Sequence, residues 1–99
     1  MLATSLQAGV QAQKNDLLQA NQFLANEEAE KALDIYQQLI DEGQVDLSLY
    51  YNTAIAYYTV EKFPLALLYF EKANKLKPGD PDVLHNLRLA RQKCGTEFI

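Results

Sequence analysis

Residues 47–80 read LSLYYNTAIAYYTVEKFPLALLYFEKANKLKPGD, and this stretch decides the fold. Shifted back by 34 residues it falls on the stretch before it, with Ala54 on Ala20, Tyr57 on Phe23, Ala66 on Ala32, Leu67 on Leu33 and Phe70 on Tyr36. Shifted forward it meets the start of a third copy, with Tyr50 on Leu84 and Asn52 on Asn86. A repeat of this length, with small residues at some recurring places and aromatics at others, marks a stacked array of helical hairpins. Such arrays share one core between neighbours and present a surface for holding another chain. The repeat therefore points to a binding module and away from an enzyme.

Local signals place the helices. Leu17, Ala20, Phe23 and Leu24 stand at helical spacing and predict a first helix over about 13–26. Ala29, Ala32, Leu33, Tyr36, Leu39 and Ile40 predict a second over about 29–42, ended by Gly43. Asp46 is the expected N-cap of a third helix that reaches about Val60, with Leu49, Tyr50, Ala54, Tyr57 and Tyr58 as its stripe. Pro64 suits the first turn of a fourth helix that reaches about Lys77, and Pro78-Gly79 breaks it. Asp80-Pro81-Asp82 starts a fifth helix, which runs to about Cys94 before Gly95. The connections are short, so consecutive helices are expected to lie antiparallel. The expected fold is all-α, with hairpins at 13–46 and 47–80 and a capping helix at 81–95.

Residues 47–80 resemble one full tetratricopeptide repeat (TPR). The match rests on Tyr50, Asn52, Ala54, Ala56, Tyr57, Tyr58, Phe63, Ala66, Tyr69, Phe70, Ala73 and Pro78. Residues 13–46 fit through Ala20, Phe23, Ala32, Tyr36 and Leu39, with Gln44 where a proline is usual. The resemblance implies a short right-handed solenoid. The fifth helix resembles a solvating cap, with Arg88 and Arg91 where the other copies carry Ala20 or Ala54 and Phe23 or Tyr57. The runs at 20–22, 32–43, 50–52 and 82–87 are also similar to the TPR segments of the BatE family of Bacteroidetes aerotolerance operons. That family usually has a signal peptide before this segment and a membrane anchor after it. The resemblance thus implies a periplasmic or envelope setting, with a cytoplasmic one as the alternative.

Composition narrows the function. The chain has 99 residues, 48% hydrophobic and 22% charged, which suits one small globular domain. A net charge of -4, with seven Lys and two Arg scattered, argues against nucleic acid as a partner. Cys94 is the single cysteine, so no internal disulfide is expected. No apolar run is long enough to insert into a membrane. Residues 1–12 lack a helical apolar stripe, and Val10-Gln11-Ala12 has the small-x-small form that precedes a signal-peptidase cut. They are expected to be a flexible arm or the remnant of a signal peptide.

No catalytic group assembles. His85 is the only histidine, Ser5 and Ser48 are the only serines, and His85 and Cys94 are nine residues apart on one helix. Glu27, Glu28 and Glu30 are expected to be solvated, and no cofactor or metal is expected. The stronger candidates come from the family resemblance, which implies that the first helix of each hairpin lines a concave groove. By position these residues are Leu17, Asn21, Leu24, Tyr51, Asn52, Ile55, Tyr58, His85 and Asn86, with Lys14, Thr59, Asp82 and Leu89 beside them. An apolar groove with amide donors and acceptors suits an extended peptide or a helix of a partner protein. Tyr51 and Tyr58 are its natural anchors. The carboxylate clamp of chaperone-binding TPRs is not expected, because Leu17, Asp82 and Asn86 stand where it needs basic residues. Self-association through the arm or an exposed hairpin face is the alternative role.

Overall fold

A computed structural model of the chain describes residues 2–95, with side chains from Gly9 onward. Five helices follow one another: α1 (Leu2–Ala25), α2 (Ala29–Asp41), α3 (Leu47–Thr59), α4 (Phe63–Leu76) and α5 (Pro81–Gly95). There is no strand among the described residues. The helices pack in adjacent pairs, α1 with α2 and α3 with α4, and α5 closes against α4. This is an all-α helical-repeat fold. Residues 96–99, which follow the expected capping helix, lie outside the described residues.

The chain's start departs from the expectation. α1 begins at Leu2 and not near Gln13, so residues 2–12 are helical. No proline interrupts them, Ala3, Ala8 and Ala12 favour helix, and Gly9 costs only about 1 kcal/mol against Ala. The apolar period does not show there, because residues 9–12 are exposed, with Val10 bordering a cleft beside Leu17 and Leu39.

Three of the four interhelical turns close in the same way. At the end of α1, Glu28 N–H donates to the Phe23 carbonyl (2.8 Å) and Glu27 N–H to that of Leu24 (3.1 Å). Lys62 and Glu61 repeat this pair of bonds on Tyr57 and Tyr58, and Gln44 and Gly43 repeat it on Leu39 and Ile40. The geometry needs a left-handed residue just beyond the helix. Gly43 (φ 92°) supplies it freely, whereas Glu27 (φ 64°) and Glu61 (φ 63°) adopt it against the steric preference of an L side chain. At the helix starts, Asp46 accepts from Leu49 N–H (3.0 Å), and Asp80 accepts from Asp82 N–H (3.0 Å) and Val83 N–H (3.2 Å). Pro64 stands in the first turn of α4 as expected.

The core is built from alanines at the crossings and aromatics between them. Ala20, Ala32, Ala54, Ala66, Ala73 and Ala90 are all fully buried, which lets neighbouring helices approach closely. Tyr36 and Phe70, equivalent in the repeat, are buried in successive hairpins. Tyr69 joins Tyr57 in a stacked pair (5.7 Å between centroids) and meets Tyr50 at a tilt (6.0 Å). Thr53 is the one buried polar residue among those described, and its hydroxyl donates to the Leu49 carbonyl (2.6 Å). On α5, Val83, Leu87 and Ala90 are buried while Arg88 and Arg91 face solvent, and Arg91 reaches Glu71 at 3.6 Å. No helix among the described residues is long and apolar enough to cross a membrane.

Candidate functional site

The first helices of the repeat, α1, α3 and α5, touch one another through polar side chains. Asn52 Nδ2 donates to Asn21 Oδ1 (3.1 Å), joining α3 to α1. Asn86 Nδ2 donates to the Tyr51 hydroxyl (2.6 Å), joining α5 to α3. Asn52 and Asn86 are equivalent in the repeat, and each reaches back to the preceding first helix. Asn21 Oδ1 also accepts from the buried Tyr36 hydroxyl of α2 (2.5 Å). Burial pushes the Tyr36 phenol up to about 12. Asn21 is therefore a partner of the core.

Each amide keeps unused capacity. Asn21 retains its two Nδ2 hydrogens, and Asn52 and Asn86 each retain an Oδ1 that accepts nothing among the described residues. All three asparagines are half-buried, and Asn52 lines the first of two open clefts along these helices. One, of about 160 Å³, is lined by Leu47, Ser48, Tyr51, Asn52, Asp80, Asp82 and Val83. The other, of about 330 Å³, is lined by Val10, Gln13, Lys14, Leu17, Leu39, Gln44 and Asp46. They are counterparts, since Gln13, Lys14, Leu17 and Asp46 lie 34 residues before Leu47, Ser48, Tyr51 and Asp80.

Tyr51 is more deeply engaged than a free anchor would be. Its ring meets Phe70 edge to face at 5.8 Å, and its hydroxyl accepts from Asn86. Its phenol is raised above the ordinary value by burial first and then by the Asp82 carboxylate, with the Asn86 bond opposing. Asp80 is held below the usual carboxylate range, chiefly by the Val83 N–H it accepts from. Its second oxygen lies 3.4 Å from Lys77 Nζ.

The remaining expected residues divide. Ile55 packs half-buried against the cluster that holds Ala54, Phe70 and Leu87, and Leu24 against the one that holds Ala20, Tyr36 and Leu49. Tyr58 turns its ring against Phe63 (5.1 Å), away from the clefts, and Thr59 donates to the Ile55 carbonyl (2.8 Å). His85 is exposed, and Asn86, not His85, meets Tyr51. Leu89 is half-buried on α5. The structure thus gathers Tyr51, Asn52 and Asp82 around one cleft and Lys14 and Leu17 around the other.

Leu47, Ser48, Asp80 and Val83 line the first cleft but were absent from the expected set. The signal for them was present in the capping pattern, because Asp46 and Asp80 mark the ends where the first helices of the repeat begin. Among the described residues, no group of three or more His, Cys, Asp or Glu side chains could hold a metal ion. Comparison with protein-family models and with curated proteins finds no match.

Proposed function

We propose that this chain is a non-catalytic interaction domain of the TPR type, which binds a peptide segment or helix of a partner protein along α1, α3 and α5. The observation that carries the reading is the row of Asn21, Asn52 and Asn86. Each spends part of its hydrogen-bonding capacity holding helices together and leaves the rest at an open, half-buried face. A backbone laid along that face would find donors and acceptors fixed in place, with little side-chain entropy left to lose. On the family resemblance, the partner belongs to a bacterial envelope assembly of the aerotolerance type, with a cytoplasmic partner as the alternative.

The test is amide-shift mapping by NMR with peptides selected on the whole chain. Perturbations should centre on 14–24, 47–55 and 82–89. Shifts confined to the outer sides of α2 and α4 would overturn the reading.

A second reading is self-association, and the outer side of α4 favours it. Leu65, Leu68 and Leu76 are 39%, 43% and 44% exposed there. At the equivalent places stand Lys31 and Asp34 on α2 and Glu42 just after it, all exposed. The fold itself thus has no need of leucine at these positions. Light scattering across a concentration series separates the two readings, since replacing the three leucines by these equivalents should leave a monomer only if self-association runs through α4.

A further inference from the structure

One position recurs on all three first helices with a different charge each time. Lys14 on α1, Ser48 on α3 and Asp82 on α5 are successive equivalents at 34-residue spacing. Lys14 lines the cleft of about 330 Å³, and Ser48 and Asp82 line the cleft of about 160 Å³. The N-cap carboxylates Asp46 and Asp80 are also equivalents, one in each cleft, and Asp80 has Lys77 Nζ at 3.4 Å. At the recurring position itself the charge steps from positive through neutral to negative along α1, α3 and α5.

Both end charges are available. Lys14 and Asp82 are exposed, and neither forms an ion pair among the described residues. The negative end reaches into its cleft, because the Asp82 and Asp80 carboxylates both help to raise the Tyr51 phenol. A ligand lying across the three helices meets this gradient along its whole length.

We propose that the groove selects an extended segment carrying an acidic side chain beside Lys14 and a basic side chain beside Asp82. The proposal rests on the groove reading above and adds the partner's charge pattern to it. Packed helices lie about 8–10 Å apart, so two steps from α1 to α5 span about 16–20 Å. An extended chain rises about 3.3 Å per residue and covers that span in five or six residues. The acidic and basic residues should therefore stand about that far apart, in one fixed order. A segment with the reverse order meets like charge at both ends.

The experiment is selection of random nine-residue displayed peptides on the whole chain and on the charge-swapped variant Lys14→Asp with Asp82→Lys. Both positions are exposed and the net charge is unchanged, so the swap should leave the fold intact. Peptides from the wild-type chain should share an acid and a base five or six residues apart, and the swapped chain should select the opposite order. A wild-type peptide should lose about tenfold in affinity for the swapped chain and recover when its own two charges are exchanged. Peptides that lack this spacing, yet lose binding when Ser48→Trp fills the cleft, would overturn the charge pattern and leave the groove reading standing. Failure to enrich any peptide, or binding indifferent to Ser48→Trp, would overturn both.

Discussion

Asn21 should matter more to stability than the tyrosine it holds. The Tyr36 hydroxyl is fully buried and donates to Asn21 Oδ1 at 2.5 Å, while the same oxygen accepts from Asn52 at 3.1 Å. Tyr36→Phe removes the hydroxyl and leaves Asn21 still bonded to Asn52, so the loss is one net hydrogen bond, about 0.5–1.5 kcal/mol. Asn21→Ala leaves the phenol without its acceptor in the core, a penalty of about 1–3 kcal/mol. With both changed no phenol is stranded in the core and only the half-buried Asn52 amide loses its acceptor, so the double variant should cost less than the sum by about 0.5 kcal/mol or more. Thermal and urea denaturation followed by circular dichroism measure all four proteins, and each kcal/mol shifts the midpoint by about 4–8 °C in a domain of this size. The alkaline limb gives a second readout. Tyr36 ionises near 10 when unfolded and about 12 when folded, so its contribution is whole below pH 10 and is lost as pH rises through 12. Tyr36→Phe should flatten the fall in stability over that window. Additive costs, or an Asn21→Ala variant as stable as wild type, would refute the claim that Asn21 serves the core.

Glu61→Gly and Glu27→Gly should each stabilise the chain by up to about 1 kcal/mol, since glycine takes the left-handed turn without strain but has more unfolded freedom to lose. A lowered melting point would mean that the glutamate side chains contribute more than their strain. Ala66→Leu should overpack the fully buried α3–α4 crossing by about 1–3 kcal/mol, read as a fall in the urea midpoint. Asp80→Asn should keep the cap but lose its pH dependence. The depressed carboxylate stabilises above its unfolded value and stops doing so as pH falls through its folded one, so acid melting curves of wild type and variant should converge.

Much of the fold was legible because its causes are local or periodic. Ala20 and Ala54, like Ala32 and Ala66, recur at one interval because every helix crossing sets the same limit on side-chain size. Asp46, Gly43 and Pro64 announce helix ends because a cap, a left-handed turn and a missing N–H act within a few residues. Arg88 and Arg91 broke the repeat and marked the side of α5 that faces solvent. Other features had no such trace. The helical course of residues 2–12 carries no apolar period, and residues 9–12 are exposed. Glu27 and Glu61 gave no left-handed signal, because the helix-ending bonds impose that conformation on whatever residue stands there.

The candidate site divides along the same line. The sequence alone determined which helix positions belong together, and so placed Tyr51, Asn52 and Asn86 in one set. Only the tertiary structure decided that Asn21 is committed to Tyr36, that Asn86 and not His85 meets Tyr51, and that Tyr58 turns to Phe63. Those choices hang on how far apart neighbouring helices settle and how each is rotated. Both are set by the whole core at once, because a buried hydroxyl or ring takes whichever partner the packed alanines bring within reach.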